Sequence, residues 1–329
     1  MSKSRVDQQA IADRLGISRS TVTRVLGHDP LHRISPDTRK LILKTAREMG
    51  YNPRRRRTGN IAFVVCGEMA PAQHELHLAI CSEAFHNSYR IFLVGMPEFA
   101  SYNQIKVYVN PLAADGVILT GKFSMELARS LADVMPTVLL DDRSQTLDMD
   151  MDRVRVDYVD LGYELTRMMI DVGHKRIAAI VQFPDDVAWS GPMEGFRKAY
   201  EEAGLVADIS QVRHKSRVVY TKLLSDLLAT KPTAIFAWTT SDHAIILSTL
   251  SAMGCRVPQD ISYVGWAQSY SAALLPFPAI TCLDDIYPAM ARTAVHRLFD
   301  RMEDPLMPPE SMTVPVGIRR GETLSKLRP

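Results

Sequence analysis

Apolar residues recur at helical spacing through the first fifty positions, and then the period changes. Ile11, Ala12 and Leu15 predict a helix from Gln9 to Leu15, and Gly16 ends it, because glycine tolerates the left-handed conformation of a helix terminus. Ser18 is placed to cap a second helix whose apolar face is Val22, Val25 and Leu26. Ser35 and Pro36 start a third, with Leu41, Ile42, Thr45, Ala46 and Met49 on its apolar side and Gly50 at its end. From residue 61 short apolar runs alternate with amphipathic stretches. Strands are predicted at Ile61–Cys66, Arg90–Gly95, Gly116–Thr120 and Thr137–Asp141, with helices at His74–Asn87 and Ser124–Met135. A second set of strands falls at Arg176–Val181, Thr233–Trp238 and Ile261–Trp266, with helices around Gly195–Ala203, Lys222–Ala229 and Asp242–Met253. Such alternation predicts parallel sheets with right-handed crossovers, and two sets predict two lobes. Ligands of open α/β sheets bind at the C-terminal ends of the strands, so the cleft between lobes is the expected ligand site.

The second helix leaves Arg19, Ser20, Thr23 and Arg24 on its outer face. That face suits the major groove of DNA, although a helical hairpin with a solvated face has the same pattern. Charge separates the two readings. The chain of 329 residues carries a formal net charge of only +2, but residues 1–60 hold 14 of the Lys+Arg and 5 of the Asp+Glu, a net of +9, leaving −7 for the rest. A small basic domain on a large acidic one fits a nucleic-acid reader attached to something else. The run Arg54-Arg55-Arg56-Arg57 follows the helices directly, where it is more at home against phosphates or in a minor groove than as a solvated linker.

Other features are quieter. The N-terminus has Lys3 and Arg5 but no apolar stretch behind them, and no run reaches the eighteen or so apolar residues of a membrane span, so a cytoplasmic protein without a membrane partner is expected. Cys66, Cys81, Cys255 and Cys282 form no CxxC pair and read as buried free thiols. His74 and His77 lie at i, i+3 without a third ligand and read as part of a solvated or cleft-facing helix. Asp148, Asp150 and Asp152 lack the glycine and terminal glutamate of a calcium loop and read as an exposed acidic loop. Gly191, Gly195 and Gly204 read as turn and cap residues, and His174 as structural. No phosphate loop, GxSxG elbow or nucleophile–base pair is visible, so neither an enzyme nor a cofactor is expected.

The segments AIADRLGISRSTVTRVLG and RISPDTRKLILKTAREMGYNP resemble the N-terminal domain of the LacI (lactose repressor) family of bacterial transcription regulators. The resemblance continues through DGVILT, PTVLLDDR, DVGHKRIAAI, GFRKAYEEAGL, RVPQDISYVGW and IRRGETL, so it spans essentially the whole chain. It implies an all-α three-helix helix-turn-helix domain at 1–53, a linker at 54–60, and an α/β two-lobed periplasmic-binding-protein-like effector domain at 61–329. The N-lobe would hold about 61–156 and 285–311, the C-lobe about 157–284 and 312–329. It places base readers at Arg19, Ser20 and Arg24, with Ser18, Thr21 and Thr23 placed to hold phosphates; Tyr51 and the run Arg54 to Arg57 are expected as further DNA contacts, the run gripping the backbone or a narrow minor groove.

Two departures stand out. The family's linker of some fifteen residues, with its hinge helix and leucine wedge, is reduced to the eight steps from Pro53 to Ile61, without a leucine. The family's sugar contacts are mostly missing: Pro192 replaces an arginine, Thr239-Thr240 an Asn-Asp pair, Ala72-Gln73 an aromatic pair and Ala267 an aspartate, leaving Asp141 as the matching polar contact. Instead Trp189, Trp238 and Trp266 fall at strand ends of one lobe, either as a stacking surface for a ring or as filling for the cleft, with stacking slightly favoured. The expected effector residues are Ala72, Gln73, Asp141, Trp189, Trp238, Thr240, Trp266 and Gln268. The expected function is a homodimeric repressor on a palindromic double-stranded operator, modulated by an unidentified small molecule, a sugar or ring-containing metabolite. No heptad tail follows IRRGETL, which disfavours a coiled-coil tetramer. The alternatives are a regulator whose tryptophan-filled cleft takes no effector, and a soluble small-molecule sensor.

Overall fold

The structure, a computed structural model, describes residues 7–27, 34–49, 51, 57–67, 71–140, 150–182, 187–205, 211–214, 220–238, 242–266, 280–283, 285–305 and 307–327. Three helices come first: α1 (Gln8–Leu15), α2 (Arg19–Gly27) and α3 (Pro36–Glu48). Each begins on a side-chain cap. The Ala10 N–H donates to Asp7 Oδ1 at 2.9 Å, the Thr21 N–H to Ser18 Oγ at 3.1 Å and the Thr38 N–H to Ser35 Oγ at 3.1 Å. Gly16 stops α1 at φ 63°, a left-handed backbone that costs glycine little. The apolar faces close on Ile11, Ala12, Val22, Val25, Leu26, Ile42 and Ala46.

The rest of the chain supplies two sheets, which fall in two compact units. The first unit takes the chain up to β4, then β5, then residues 288–312. Its sheet is built from β1 (Asn60–Cys66), β2 (Arg90–Met96), β3 (Gly116–Gly121), β4 (Thr137–Leu140), β5 (Asp152–Arg155) and β11 (Ser311–Thr313), in the order β11-β5-β4-β3-β1-β2. The pairings from β2 through β5 are parallel, with Ile61 level with both Ile91 and Gly116. Its helices are α4 (Pro71–His86), α5 (Tyr102–Val109), α6 (Met125–Ala132) and α11 (Tyr287–Glu303). Ile105, Val109, Leu127 and Leu131 pack on Val64, Leu119 and Leu139 on one sheet face, and Phe63, Val65, Ile118 and Leu140 on the other are buried too, which is why these strands read as continuous apolar runs.

The second unit holds β6 (Ile177–Gln182), β7 (Gln211–His214), β8 (Ala234–Trp238), β9 (Ser262–Gly265), β10 (Thr281–Leu283) and β12 (Ile318–Arg319), in the order β12-β10-β9-β8-β6-β7. Only β12 is antiparallel to its neighbour among the pairings described. On one face Leu223, Leu224 and Leu227 of α9 (Tyr220–Ala229) and Ile246, Leu247 and Leu250 of α10 (His243–Ala252) form the core. The remaining helices are α7 (Tyr158–Asp171) and α8 (Val187–Glu202).

Two sequence expectations change here. Gly191 and Gly195 are not turn residues. They lie inside α8, where a Cβ on Gly195 would stand 1.9 Å from Val159 O and one on Gly162 of α7 would stand 2.2 Å from Pro192 O. The two helices approach backbone to backbone, and only glycine leaves the room. Gly204, at φ 65°, is the turn residue expected. Asp152 is not in an exposed loop. It is 2% exposed at the start of β5, and the charge that made it look solvated is matched by arginines 145 and 149 residues later.

Candidate functional site

The α2 surface carries the first candidate site. Arg19, Ser20 and Thr23 are exposed and Arg24 is half-buried, on a helix held from behind by Val22, Val25 and Leu26. Ser18 Oγ lies 2.8 Å from both Ser20 Oγ and Thr21 Oγ1, so these hydroxyls steady the start of the helix. The Thr23 hydroxyl donates to Gln8 Oε1 at 2.6 Å, tying α2 to α1. This leaves two guanidinium groups and a serine on a rigid scaffold. Arginine can donate two parallel hydrogen bonds to the O6 and N7 of guanine, and that geometry needs a fixed helix beneath it.

Tyr51 packs against the same core, and its N–H donates to Ala46 O at 2.8 Å. The chain is fastened again from residue 57. Arg57 Nη1 donates to the Tyr89 hydroxyl at 3.3 Å, and Nη2 meets Glu303 Oε1 at 3.4 Å. The Thr58 and Gly59 N–H groups donate to the buried Asp115 carboxylate at 3.2 and 2.8 Å. Arg57, expected against DNA, here meets Tyr89 and Glu303 of the first unit. Arg54, Arg55 and Arg56 lie outside the described residues. Only positions 52–56 separate the two fastened ends.

The second candidate site is the C-terminal edge of the second unit's sheet. Trp238 ends β8 and is 0% exposed, while Trp266 follows β9 and is 6% exposed. Their ring centroids are 4.8 Å apart at 56°, and Tyr158, the first residue of α7, lies 5.4 Å from Trp266 and 6.1 Å from Trp238. Phe236 and Phe196 continue the column inward, at 5.8 Å from Trp238 and 5.6 Å from each other. The expectation that Trp238 offers a stacking surface is corrected: with no exposed area, its ring is spent on neighbouring rings. Trp189, Ala72 and Gln73 fall in α8 and α4, with only their backbone described, and Asp141, Thr240 and Gln268 lie outside the described residues.

Sequence reasoning missed Tyr158 and His243 at this edge. His243 opens α10 at 1% exposure, with Nδ1 2.7 Å from the Tyr263 hydroxyl and Nε2 2.5 Å from Trp266 O. The usable signal was spacing: a histidine five residues beyond one strand-ending tryptophan, and a glycine just before the other. His174, read as structural, is buried with Nδ1 3.0 Å from Thr233 Oγ1 and Nε2 3.0 Å from Ser325 O. Burial lowers its pKa, and also that of His77, which stacks on Phe63 at 5.9 Å with the neighbouring His74 as a second cause. Among the described residues no group of His, Cys, Asp and Glu is arranged to hold a metal, and no helix is long and apolar enough to cross a membrane. Cys66 and Cys282 are buried free thiols, and burial pushes Cys66 up to about 11, whereas Cys81 and Cys255 are only partly buried.

Comparison with known proteins decides what the head and the two sheets amount to. Residues 9–54 match the bacterial regulatory proteins of the lacI family, and residues 166–324 match a periplasmic binding protein-like domain. The chain thus carries a lacI-type helix-turn-helix domain and a periplasmic-binding-protein-like domain. Its relatives include the HTH-type transcriptional regulator DegA of Bacillus subtilis, 27% identical over 84% of this chain and 86% of that protein. The HTH-type transcriptional repressor PurR of Pasteurella multocida is 25% identical over 89% and 91%. Among solved structures, a transcriptional regulator CelR–cellobiose complex aligns with 97% of this chain and 100% of its own at TM-score 0.66 and 25% identity. A lac repressor dimer bound to operator and an anti-inducer shares the fold at TM-score 0.67 and 18% identity, over 98% and 100%. Like these relatives, the chain is a DNA-binding transcription regulator and not an enzyme.

Proposed function

We propose that the protein is a cytoplasmic repressor that binds a near-palindromic operator as a homodimer, with Arg19, Ser20 and Arg24 reading bases. The observation that carries this reading is the α2 surface: two arginines and a serine presented by a capped helix on a closed core. A second copy is supported by α4, where Leu78 and Phe85, one heptad apart, are 68% and 78% exposed. Two copies would place two α2 helices one turn of DNA apart. Ser18, Thr21 and Tyr51 would approach phosphates, and Arg54 to Arg56 would grip the backbone in place of a hinge helix. The test is selection of binding sites by the full chain from random duplex DNA, with sedimentation of the free protein. Two-fold symmetric sites, their loss in Arg19→Ala and Arg24→Ala, and dissociation of the dimer in Phe85→Glu are expected. Unsymmetric or unenriched sites would overturn the operator reading.

For the second unit, a small-molecule effector at the C-terminal edge of the sheet remains the family-based proposal. A second reading is favoured by the burial of Trp238 and Trp266: the aromatic column fills that edge, and DNA binding does not depend on a sugar. Quenching of tryptophan emission by a panel of sugars and ring-containing metabolites separates the two.

A further inference from the structure

The edge residue Trp266 follows Gly265, the last residue of β9. Its N–H donates to Ala237 O at 3.1 Å, which holds one side of the peptide. The other side, its carbonyl, meets His243 Nε2 at 2.5 Å. A carbonyl only accepts, so Nε2 carries the proton. On a neutral ring Nδ1 then accepts, and the Tyr263 hydroxyl 2.7 Å away is its donor. Tyr263 is wholly buried, and burial, with Asp242 and Tyr220 nearby, raises its pKa, so its hydroxyl keeps the proton it donates. Asp242, immediately before His243, accepts from the Tyr220 hydroxyl, which adds α9 to the group. The fit is steric as well. A Cβ on Gly265 would stand 2.8 Å from His243 Cε1, so the imidazole occupies the space that a larger residue before Trp266 would need.

We propose that His243 is a positioning residue: its imidazole, oriented by Tyr263, latches the Trp266 carbonyl and thereby holds the Trp266 indole on Trp238 and Tyr158. The aromatic column is then a fixed seal on this sheet edge, made by α10, and not a surface formed when a ligand arrives. A ligand of this edge must break the latch or displace the indole, and a flat ring of indole size is the class that can take its place between Trp238 and Tyr158. The inference rests on the reading of this edge as the effector site only for that last step; the latch itself does not require it.

The test uses the full chain carrying Trp189→Phe, so that emission and near-ultraviolet circular dichroism come from Trp238 and Trp266 alone. His243→Leu keeps bulk without hydrogen bonds, while His243→Gln restores one donor and one acceptor. Acrylamide should quench the His243→Leu protein at least twofold more strongly than the parent, with loss of the near-ultraviolet signal of the indole pair. His243→Gln should recover most of both. Unchanged quenching and dichroism in His243→Leu overturn the latch, and so does a His243→Gln protein that behaves like His243→Leu. If His243→Leu does not fold, Tyr263→Phe takes its place, and a Tyr263→Phe protein identical to the parent in both signals overturns the proposal. Indole added to His243→Leu should restore protection from acrylamide, and failure to do so removes the ligand class. Operator binding by the same samples is scored separately, so a parent that binds no DNA defeats the functional reading without touching the latch.

Discussion

Asp152 shows how one residue can organise distant chain. Its Oδ1 accepts from Arg297 Nε at 2.7 Å and from the Glu310 N–H at 3.1 Å, and its Oδ2 accepts from Arg301 Nε at 2.7 Å. The arginines turn other donors to the Pro305, Met307 and Pro308 carbonyls, and Arg297 Nη1 to Glu310 Oε2 at 3.0 Å. Removing the carboxylate takes away the buried counter-ion the two guanidinium groups share and leaves Arg297 with the exposed Glu310, so Asp152→Ala should cost about 3–5 kcal/mol, read from urea unfolding. Asp152→Asn, which keeps one of the two acceptor oxygens, should cost less. His174 gives a prediction with pH. Burial depresses its folded pKa below the ordinary 6.5, so the unfolded chain binds the proton more readily. Stability is then full above about pH 6.5 and declines as pH falls toward the depressed folded value. His174→Gln should flatten the stability profile over roughly pH 5–7 relative to the parent, and parallel profiles would remove His174 as the cause. The arginine run acts residue by residue too. Each phosphate contact contributes about 0.9 to the log–log salt slope, so replacing Arg54, Arg55 and Arg56 with alanine should lower it by up to about 3. Arg57→Ala, by contrast, should barely change the slope because its donors face Tyr89 and Glu303.

At the level of elements, the α7–α8 pair is the tightest joint. Gly195→Ala must push the helices apart, because the new methyl has backbone of α7 on its far side. The expected loss is at or beyond the upper end of about 1–3 kcal/mol. Gly204→Ala meets no neighbour within 4 Å and should lose only the left-handed backbone penalty, about 1–2 kcal/mol. Thermal melts of the two variants order them, and equal losses would show that the helices part easily. Elements with a clear apolar period were legible: α1 to α3 and the strands β1 to β4, β6, β8 and β9 lie within a few residues of their expected positions. What escaped has a physical reason. β5 reads Asp-Arg-Val-Arg, and its charges look like solvent exposure until their partners in α11 fold over them. β12 has two residues, too few for any period. Gly191 and Gly195 look like turns because a sequence does not show that a second helix needs their space. At the candidate sites the α2 face was legible because exposure follows from periodicity. The fate of the tryptophans was not, because whether a ring faces solvent or another ring depends on Tyr158 and Phe236, which lie far from them or beneath them in the sheet.

For the whole molecule, the order in which the chain visits its parts matters. The first unit is completed only by residues 288–312, and the second by residues after 312. Asp152 waits 145 residues for Arg297, and β10 waits for β12. The three-helix head has no such debt to later sequence, since its core lies within residues 11–51. During synthesis from the N-terminus, the head can therefore fold while both sheets still lack an edge and the first still holds an unneutralised carboxylate. A nascent or prematurely ended chain would present a finished DNA-reading surface on an unfinished body, and protease digestion of chains stopped at residue 287 should release the head intact while degrading the remainder. The same ordering means that a late truncation removes both lobes together and spares the part that touches DNA.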